Sequence, residues 1–237
     1  PESWLDPAAG QKRSHPAVDC HVRWLSARPR CRPVHRLLFD GRPTITVRRA
    51  EDLLDRFEHE LLTAVATRTS YVVLHAGAVV YDDRAILLPG RSFSGKSTLV
   101  RALVEAGATY YSDDLAPLDT DGRLHAVPKR LALRCGARRL RSIDATRLRW
   151  RPGCPPRRVA SVVLTRYRPG TAFEARRLSP GEGTLALWQH AVSAQAAPER
   201  AFQVVTQLAA RVPVLVADRG EAQGIAAAIL ATSSMDR

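Results

Sequence analysis

Residues 85–107 read AILLPGRSFSGKSTLVRALVEAG, and the rest of the chain can be placed outward from them. Ala85 to Leu88 form an apolar run of strand length. Gly90-Arg91-Ser92-Phe93-Ser94-Gly95-Lys96-Ser97 fits G-x-x-x-x-G-K-[ST], the phosphate-binding loop. Beyond Thr98, the residues Leu99, Val100, Leu103 and Val104 recur at helical spacing, and Gly107 stands where a left-handed C-cap is wanted. Strand, glycine loop and helix, in that order, are the context the motif requires.

The residue types at that spacing have physical reasons. Gly90 and Gly95 let the backbone turn tightly and approach an anion with no Cβ in the way. The N–H groups of the loop and the positive end of the new helix then face the phosphates, so Gly90 through Thr98 are expected to line a nucleotide. Lys96 is expected to bridge the β- and γ-phosphates, and the Ser97 hydroxyl to help hold Mg²⁺.

The stretch feeding the loop, YVVLHAGAVVYDDRAILLPG over 71–90, carries two apolar runs about Asp82-Asp83. That acidic pair reads as a solvated turn, so the loop-bearing strand is expected to pair antiparallel with the one before it. An ordinary nucleotide-hydrolysing domain with this loop starts a parallel βαβ sheet there, with no hairpin in front. The expected fold is therefore α/β, with a mixed, largely antiparallel sheet around the loop, in a domain over residues 70–237.

Upstream, residues 1–18 are polar and proline-bearing and read as a loose tail. Residues 19–69 read as a small α/β element. Its short alternating runs (HVRWLS, VHRLLF, TITVR) are broken by a turn at Asp40-Gly41. An amphipathic helix is expected from Ala50 to Arg68, with Leu53, Leu54, Phe57, Leu61, Leu62 and Val65 on one stripe. Downstream, strands are expected at Thr109–Tyr111, at Leu115–Leu118 and Arg123–Val127 as a hairpin about Thr120-Asp121-Gly122, and over 128–134. The stretch from Cys135 to Pro156, rich in Arg and Pro, has the least periodicity and reads as a mobile loop or an exchange surface. A strand at Val159–Tyr167 precedes a helix opened by a Ser179-Pro180-Gly181-Glu182 cap and running through Leu185, Leu187, Trp188 and Val192. Pro198 opens another helix, with Phe202, Val205 and Leu208 facing inward; a buried strand at Val212–Val216 and a helix at Glu221–Ala231 follow.

Composition narrows the function classes. The chain of 237 residues is long enough for one sizeable core and a small subdomain, and an apolar share of 45% is ordinary for a globular protein. No apolar run reaches membrane-spanning length, and the first residues lack the layout of a signal peptide. The cysteines, Cys20, Cys31, Cys135 and Cys154, show no C-x-x-C spacing, which argues against zinc or a disulfide framework. A reducing cytoplasm is the expected setting. The net charge of +13 is almost all arginine, scattered rather than gathered on one helix, with few interleaved aromatics. Nucleic acid is therefore not the expected partner. Arginines around a nucleotide and an acidic partner account for part of the charge.

A glycine loop holds phosphate but does not move it. Transfer needs a metal anchor and a group that orients or deprotonates the nucleophile. Asp113-Asp114 ends the first strand after the loop helix and is the candidate. One carboxylate is to serve Mg²⁺ and the other to accept the proton of an attacking hydroxyl, in an order the residues leave open.

H-A-G-A-V-V, a hairpin, L-L-P-G-x-x-x-S-G-K-S-T-L and G-A-x-x-x-S-D-D together resemble the HPr kinase/phosphorylase family and its stand-alone kinase-like relatives. The wider fold of that family is similar to phosphoenolpyruvate carboxykinases. The resemblance covers about residues 70–134. It implies a mixed sheet around the loop, ATP and Mg²⁺, and His75 near the transferred phosphate. It also implies that one of Asp113 and Asp114 is the base for a serine hydroxyl, while Ser97 and the other, with Asp114 the working choice, hold the metal. A family arginine in an R-G segment is echoed by Arg134-Cys135-Gly136, with Arg130 or Lys129 as alternatives that neutralise charge as the phosphoryl group departs. Two departures stand out: the first seventy residues are unlike the N-terminal domain of HPr kinases, and the segment after Arg134 lacks the glycine-rich signature. HPr as acceptor and the reverse reaction with phosphate are both put in doubt by them.

The expected function is an ATP- and Mg²⁺-dependent kinase acting on a hydroxyl, in first place a serine of a protein or precursor peptide. A kinase for a small hydroxyl compound and a nucleotide-binding regulatory module that transfers nothing are the alternatives. Self-association into a homo-oligomer is left open by the sequence.

Overall fold

The computed structural model describes residues 35–39, 42–47, 57, 69–91, 94–127, 129–135 and 139–234. Residues 9–69 and the chain from Ser70 onward belong to separate compact units. Of the first, the described part is a hairpin of β1 (His35–Phe39) and β2 (Arg42–Val47), antiparallel, with Phe39 opposite Arg42 across the Asp40-Gly41 positions. The expected tail over 1–18, the run HVRWLS and the helix over 50–68, apart from Phe57, lie outside the described residues.

The second unit is organised on β3 (Val72–Tyr81), whose side chains are buried on both faces except at His75 and Tyr81. A tight turn at Asp82 and Asp83, both at positive φ (48° and 62°), returns the chain as β4 (Arg84–Pro89). Left-handed φ at both turn positions is the geometry whose twist matches a two-residue hairpin, and aspartate tolerates it better than most residues. β3 and β4 pair antiparallel from Tyr81–Arg84 to Ala76–Pro89. The helix that follows, α1 (Lys96–Glu105), ends in a Schellman motif: Ala108 N–H donates to Leu103 O at 3.0 Å and Gly107 N–H to Val104 O at 3.1 Å, with Gly107 at φ 116°.

β5 (Thr109–Ser112) and β6 (Leu115–Leu118) both pair with β3 on the edge away from β4, the first along its C-terminal half and the second along its N-terminal half. β7 (Arg123–Leu124) continues from β6, while β8 (Leu131–Cys135) and β9 (Arg139–Ile143) form a separate hairpin. β10 (Arg157–Tyr167) lies parallel to β4 and to β12 (Val214–Arg219), and β11 (Arg176–Arg177) adds an antiparallel edge. The start of β10 also pairs with β7, so this sheet, eight-stranded among the described residues, curls back on itself at one end. It is mixed, antiparallel on one side of β4 and parallel on the other.

Helices cover both faces. α2 (Pro180–Trp188), opened by a full Ser179/Glu182 capping box, and α3 (Pro198–Arg211) pack with Leu74, Ala76, Ala78, Leu87 and Val162. α1 and α4 (Ala222–Ala231) pack on the other face with Val79, Ile86, Leu88 and Val163. Small residues in β3 set the distance to α1: a Cβ on Gly77 would lie 2.7 Å from Val100 Cγ2. Gly77→Ala is therefore expected to cost about 1–3 kcal/mol of stability through overpacking. Denaturant unfolding measures it, and Val100→Ala in the same chain should recover part of the loss.

Three expectations are corrected. The stretch from Cys135 to Pro156 contains β9 and a 3₁₀ turn at Ala145–Leu148, because the Leu-Arg alternation of the strand is masked by arginine. The cap-opened helix stops at Trp188, and Val192 belongs to a separate 3₁₀ turn. Phe202 does not face inward; it is half exposed and meets the Trp188 ring edge-on at 5.8 Å, while Ala201, Val204, Val205 and Leu208 fill the core. Among the described residues no helix is long and apolar enough to cross a membrane.

Candidate functional site

The site forms where β3 changes partners. β5 ends at Ser112 and β6 begins at Leu115, so Asp113 and Asp114 occupy the step between two strands paired to one edge. Ser112 makes that step: its hydroxyl donates to Leu115 O at 2.6 Å and accepts from Asp114 N–H at 3.3 Å. Short hydroxyl-backbone bonds of this kind hold tight turns. Asp114 O in turn accepts from Ala76 N–H at 3.0 Å. On the opposite edge β4 gives way to the loop at the same level: Gly90 N–H approaches His75 O at 3.4 Å, and His75 N–H donates to His190 O at 2.7 Å. His75 thus stands between the loop and the acids.

The loop turns as its glycines allow. Gly95 sits at φ 81°, in the left-handed region, and α1 begins at the next residue. A Cβ there would also lie 2.5 Å from an Arg219 guanidinium nitrogen, and a Cβ at Gly90 would lie 2.8 Å from Ser94 Oγ. Gly95 excludes a side chain by its conformation, whereas a Cβ at Gly90 would have to displace the Ser94 hydroxyl. Lys96 folds back: its Nζ donates to Gly90 O at 2.7 Å and to Arg91 O at 3.0 Å, and stands 3.2 Å from His75 Nε2. Burial pushes the Lys96 ammonium's pKa down, against the pull of Asp114 and Asp113.

The two aspartates have different surroundings. Asp113 is 5% exposed. It accepts from Ser97 Oγ and from the Tyr110 hydroxyl, both at 3.2 Å. The same tyrosine hydroxyl is 3.0 Å from Lys129 O. Burial raises the Asp113 carboxyl above its ordinary pKa; the Lys129 ammonium opposes this and the Asp114 charge adds to it. Asp114 is more open, with its carboxylate 3.0 Å from His75 Nε2 and 3.0 Å from Lys129 Nζ. His75 Nε2 carries at most one hydrogen. Donation to Asp114 and acceptance from Lys96 are therefore alternative states of one ring.

Lys96, Ser97, His75, Asp113 and Asp114 are brought to one place, together with Lys129. Ser97 reaches Asp113 and not Asp114, which does not match the expected pairing of Ser97 with Asp114 around a metal. Arg91 and Thr98 are exposed at the loop and the first turn of α1, and Ser94 is half-buried. Ser92 and Phe93 lie outside the described residues. Arg130 is exposed, and its charge acts on Asp144. Arg134 lies within β8 opposite Leu140, with its side chain outside the described residues. Of Lys129 and Arg130, the two alternatives whose side chains are described, Lys129 is in ion-pair contact with Asp114.

No family model matches the chain, and no curated protein matches it. Among solved structures, the Hpr(Ser) kinase/phosphatase from Coxiella burnetii overlaps 68% of this chain and 88% of its own, at 16% sequence identity and a TM-score of 0.42. It is a distant likeness of fold. A likeness of that degree says nothing of activity or acceptor.

Sequence reading missed Arg219 at the end of β12. It is 2% exposed, and its guanidinium donates to Gly95 O at 3.1 Å, Gly220 O at 3.2 Å, Thr165 Oγ1 at 3.3 Å and Ser94 O at 3.4 Å. Burial lowers its pKa. The available hint was an Asp218-Arg219 pair closing the apolar run Val214-Leu215-Val216-Ala217, where a buried charge is costly unless its donors are satisfied. Nothing in the spacing connects it to a loop more than a hundred residues earlier.

Proposed function

We propose that the protein is an ATP- and Mg²⁺-dependent phosphotransferase that moves the γ-phosphoryl group to a hydroxyl, foremost a serine side chain of a protein or peptide. The observation that carries this reading is the meeting of a glycine loop and its lysine with a serine-bound buried aspartate and a more open second aspartate. The residues fit both groups. Gly95 takes the left-handed turn that opens α1 directly behind the loop, where a helix N-terminus favours phosphate, and a hydroxyl and a carboxylate 3.2 Å apart are the hard oxygen donors Mg²⁺ takes alongside phosphate and water.

Ser97 and Asp113 are assigned to the metal, which offsets charge on the phosphate oxygens when bound. Lys96 gives up its carbonyl partners, Gly90 and Arg91, for phosphate oxygens. Asp114, placed between His75 and Lys129, takes the proton of the acceptor hydroxyl as the new P–O bond forms and the bond to the β-phosphate oxygen breaks. Lys129 offsets charge on the same carboxylate. Single-turnover transfer of labelled γ-phosphate to a serine-peptide library and to small polyols tests the reading. A labelled serine product is expected. Saturable ATP binding with no labelled product in either set would leave a regulatory nucleotide-binding module instead.

A further inference from the structure

The glycine loop has two flanks of different chemistry. One carries Lys96, His75 and the aspartates. On the other, the ends of β10 and β12, parallel to β4, open a cavity of about 880 Å³ beside Pro89, Gly90 and Arg91. A crevice outside the carboxyl ends of parallel strands is where such sheets take small ligands, and the volume lies within the usual range for them. Its walls are apolar at Tyr167 and Val216, polar at His190, and charged at Arg166, Glu174, Arg176 and Asp218.

The Tyr167 ring is held for a purpose its own packing does not explain. It is 43% exposed, yet its hydroxyl donates to Glu221 Oε1 at 2.6 Å, and the Arg219 guanidinium lies over the ring at 5.4 Å from its centroid. The same guanidinium grips the carbonyls of Ser94 and Gly95, so the ring and the loop share one anchor. A fixed aromatic plane covered by a cation on one face is a stacking surface on the other. His190 adds hydrogen-bonding capacity without charge: burial first, then the cationic groups around it, push its pKa down to about 4.

We propose that this cavity takes the nucleoside of the nucleotide, with its base stacked on Tyr167. The inference rests on the phosphate-binding reading of the loop. A nucleoside carries an aromatic base with polar edges and sugar hydroxyls, which suit a fixed ring flanked by polar and charged groups, while its phosphates and metal suit the other flank. The acceptor hydroxyl is assigned to the other flank, because Asp114 follows β5 on the far edge of β3 while the cavity opens at β10 and β12.

Binding of Mg²⁺-ATP and of inorganic tripolyphosphate, measured by calorimetry on the full chain, tests the assignment, since tripolyphosphate engages the loop alone. The parent should bind ATP more tightly than tripolyphosphate. Tyr167→Ala should weaken ATP by about ten- to a hundredfold and leave tripolyphosphate within about twofold. Tyr167→Phe should keep most of the ATP affinity. Val216→Phe, which narrows the cavity from another wall, should repeat the selective loss should Tyr167→Ala fold poorly. Equal affinity of the parent for both ligands, or equal weakening of both by Tyr167→Ala, overturns the nucleoside assignment and leaves the loop reading intact. So does a change confined to the acceptor's KM. Failure of the parent to bind either ligand overturns the loop reading, and this assignment falls with it.

Discussion

Lys96→Met is expected to lower phosphoryl transfer by at least roughly a hundred- to a thousandfold, with the unfolding midpoint close to the parent's. The ammonium is placed by the loop's own carbonyls, so its loss removes the positive charge held inside the loop, which the exposed Arg91 does not replace. Stability should hold because burial already disfavours the charged form, and methionine keeps the unbranched stem. The sign of the pH effect follows. Between the lowered folded value and the ordinary lysine value the unfolded chain binds more protons, so Lys96 adds stability to the parent as pH climbs through that window. The methionine variant should lack that rise. Transfer within about twofold of the parent would sink the loop assignment, whatever the stability data show.

Lys96 was legible because its neighbours in sequence are its neighbours in space: a strand, two glycines and a helix within twenty residues or so fix its surroundings locally. The antiparallel hairpin into the loop was legible for the same reason, since Asp82-Asp83 separates two apolar runs that can only fold onto each other. What stayed hidden depends on distant pairing. Asp113 and Asp114 look equivalent in the sequence, and only the step from β5 to β6 along one edge of β3 turns one toward Ser97 and the other toward His75 and Lys129. Arg219 joins the loop through the parallel pairing of β12 with β10 and of β10 with β4, a relation with no local signature. Lys129 and Arg130 were equal alternatives to the R-G echo at Arg134, and it is Lys129 that makes the ion pair while Arg130 is exposed, because neighbouring residues in an extended segment occupy different faces. Phe202 misled because hydrophobicity alone marked it as inward, while α3 fills its inner stripe with Ala201, Val204, Val205 and Leu208.

Asp113→Asn and Asp114→Asn should both reduce transfer by at least about a hundredfold, and for different reasons. Asp114→Asn removes the proton acceptor, so it should depress kcat and leave the magnesium concentration for half-maximal rate unchanged. Asp113→Asn weakens the donor set shared with Ser97, so it should raise that concentration, and high magnesium should restore part of the rate. Stability separates them again. Asp113 is a buried carboxylate whose folded pKa is raised, so its charge works against folding once pH passes upward through the window from its ordinary value to its raised one. Without metal, Asp113→Asn should therefore be at least as stable as the parent at neutral pH, and the gap should close on acidification toward the ordinary carboxylate value. Asp114→Asn should be less stable than the parent at neutral pH, because Lys129 and His75 lose an ionised partner that is only partly exposed. Full activity in both variants would make the acid step a structural turn. An exchange of the two magnesium responses would instead keep the chemistry and reverse the assignment of base and metal ligand.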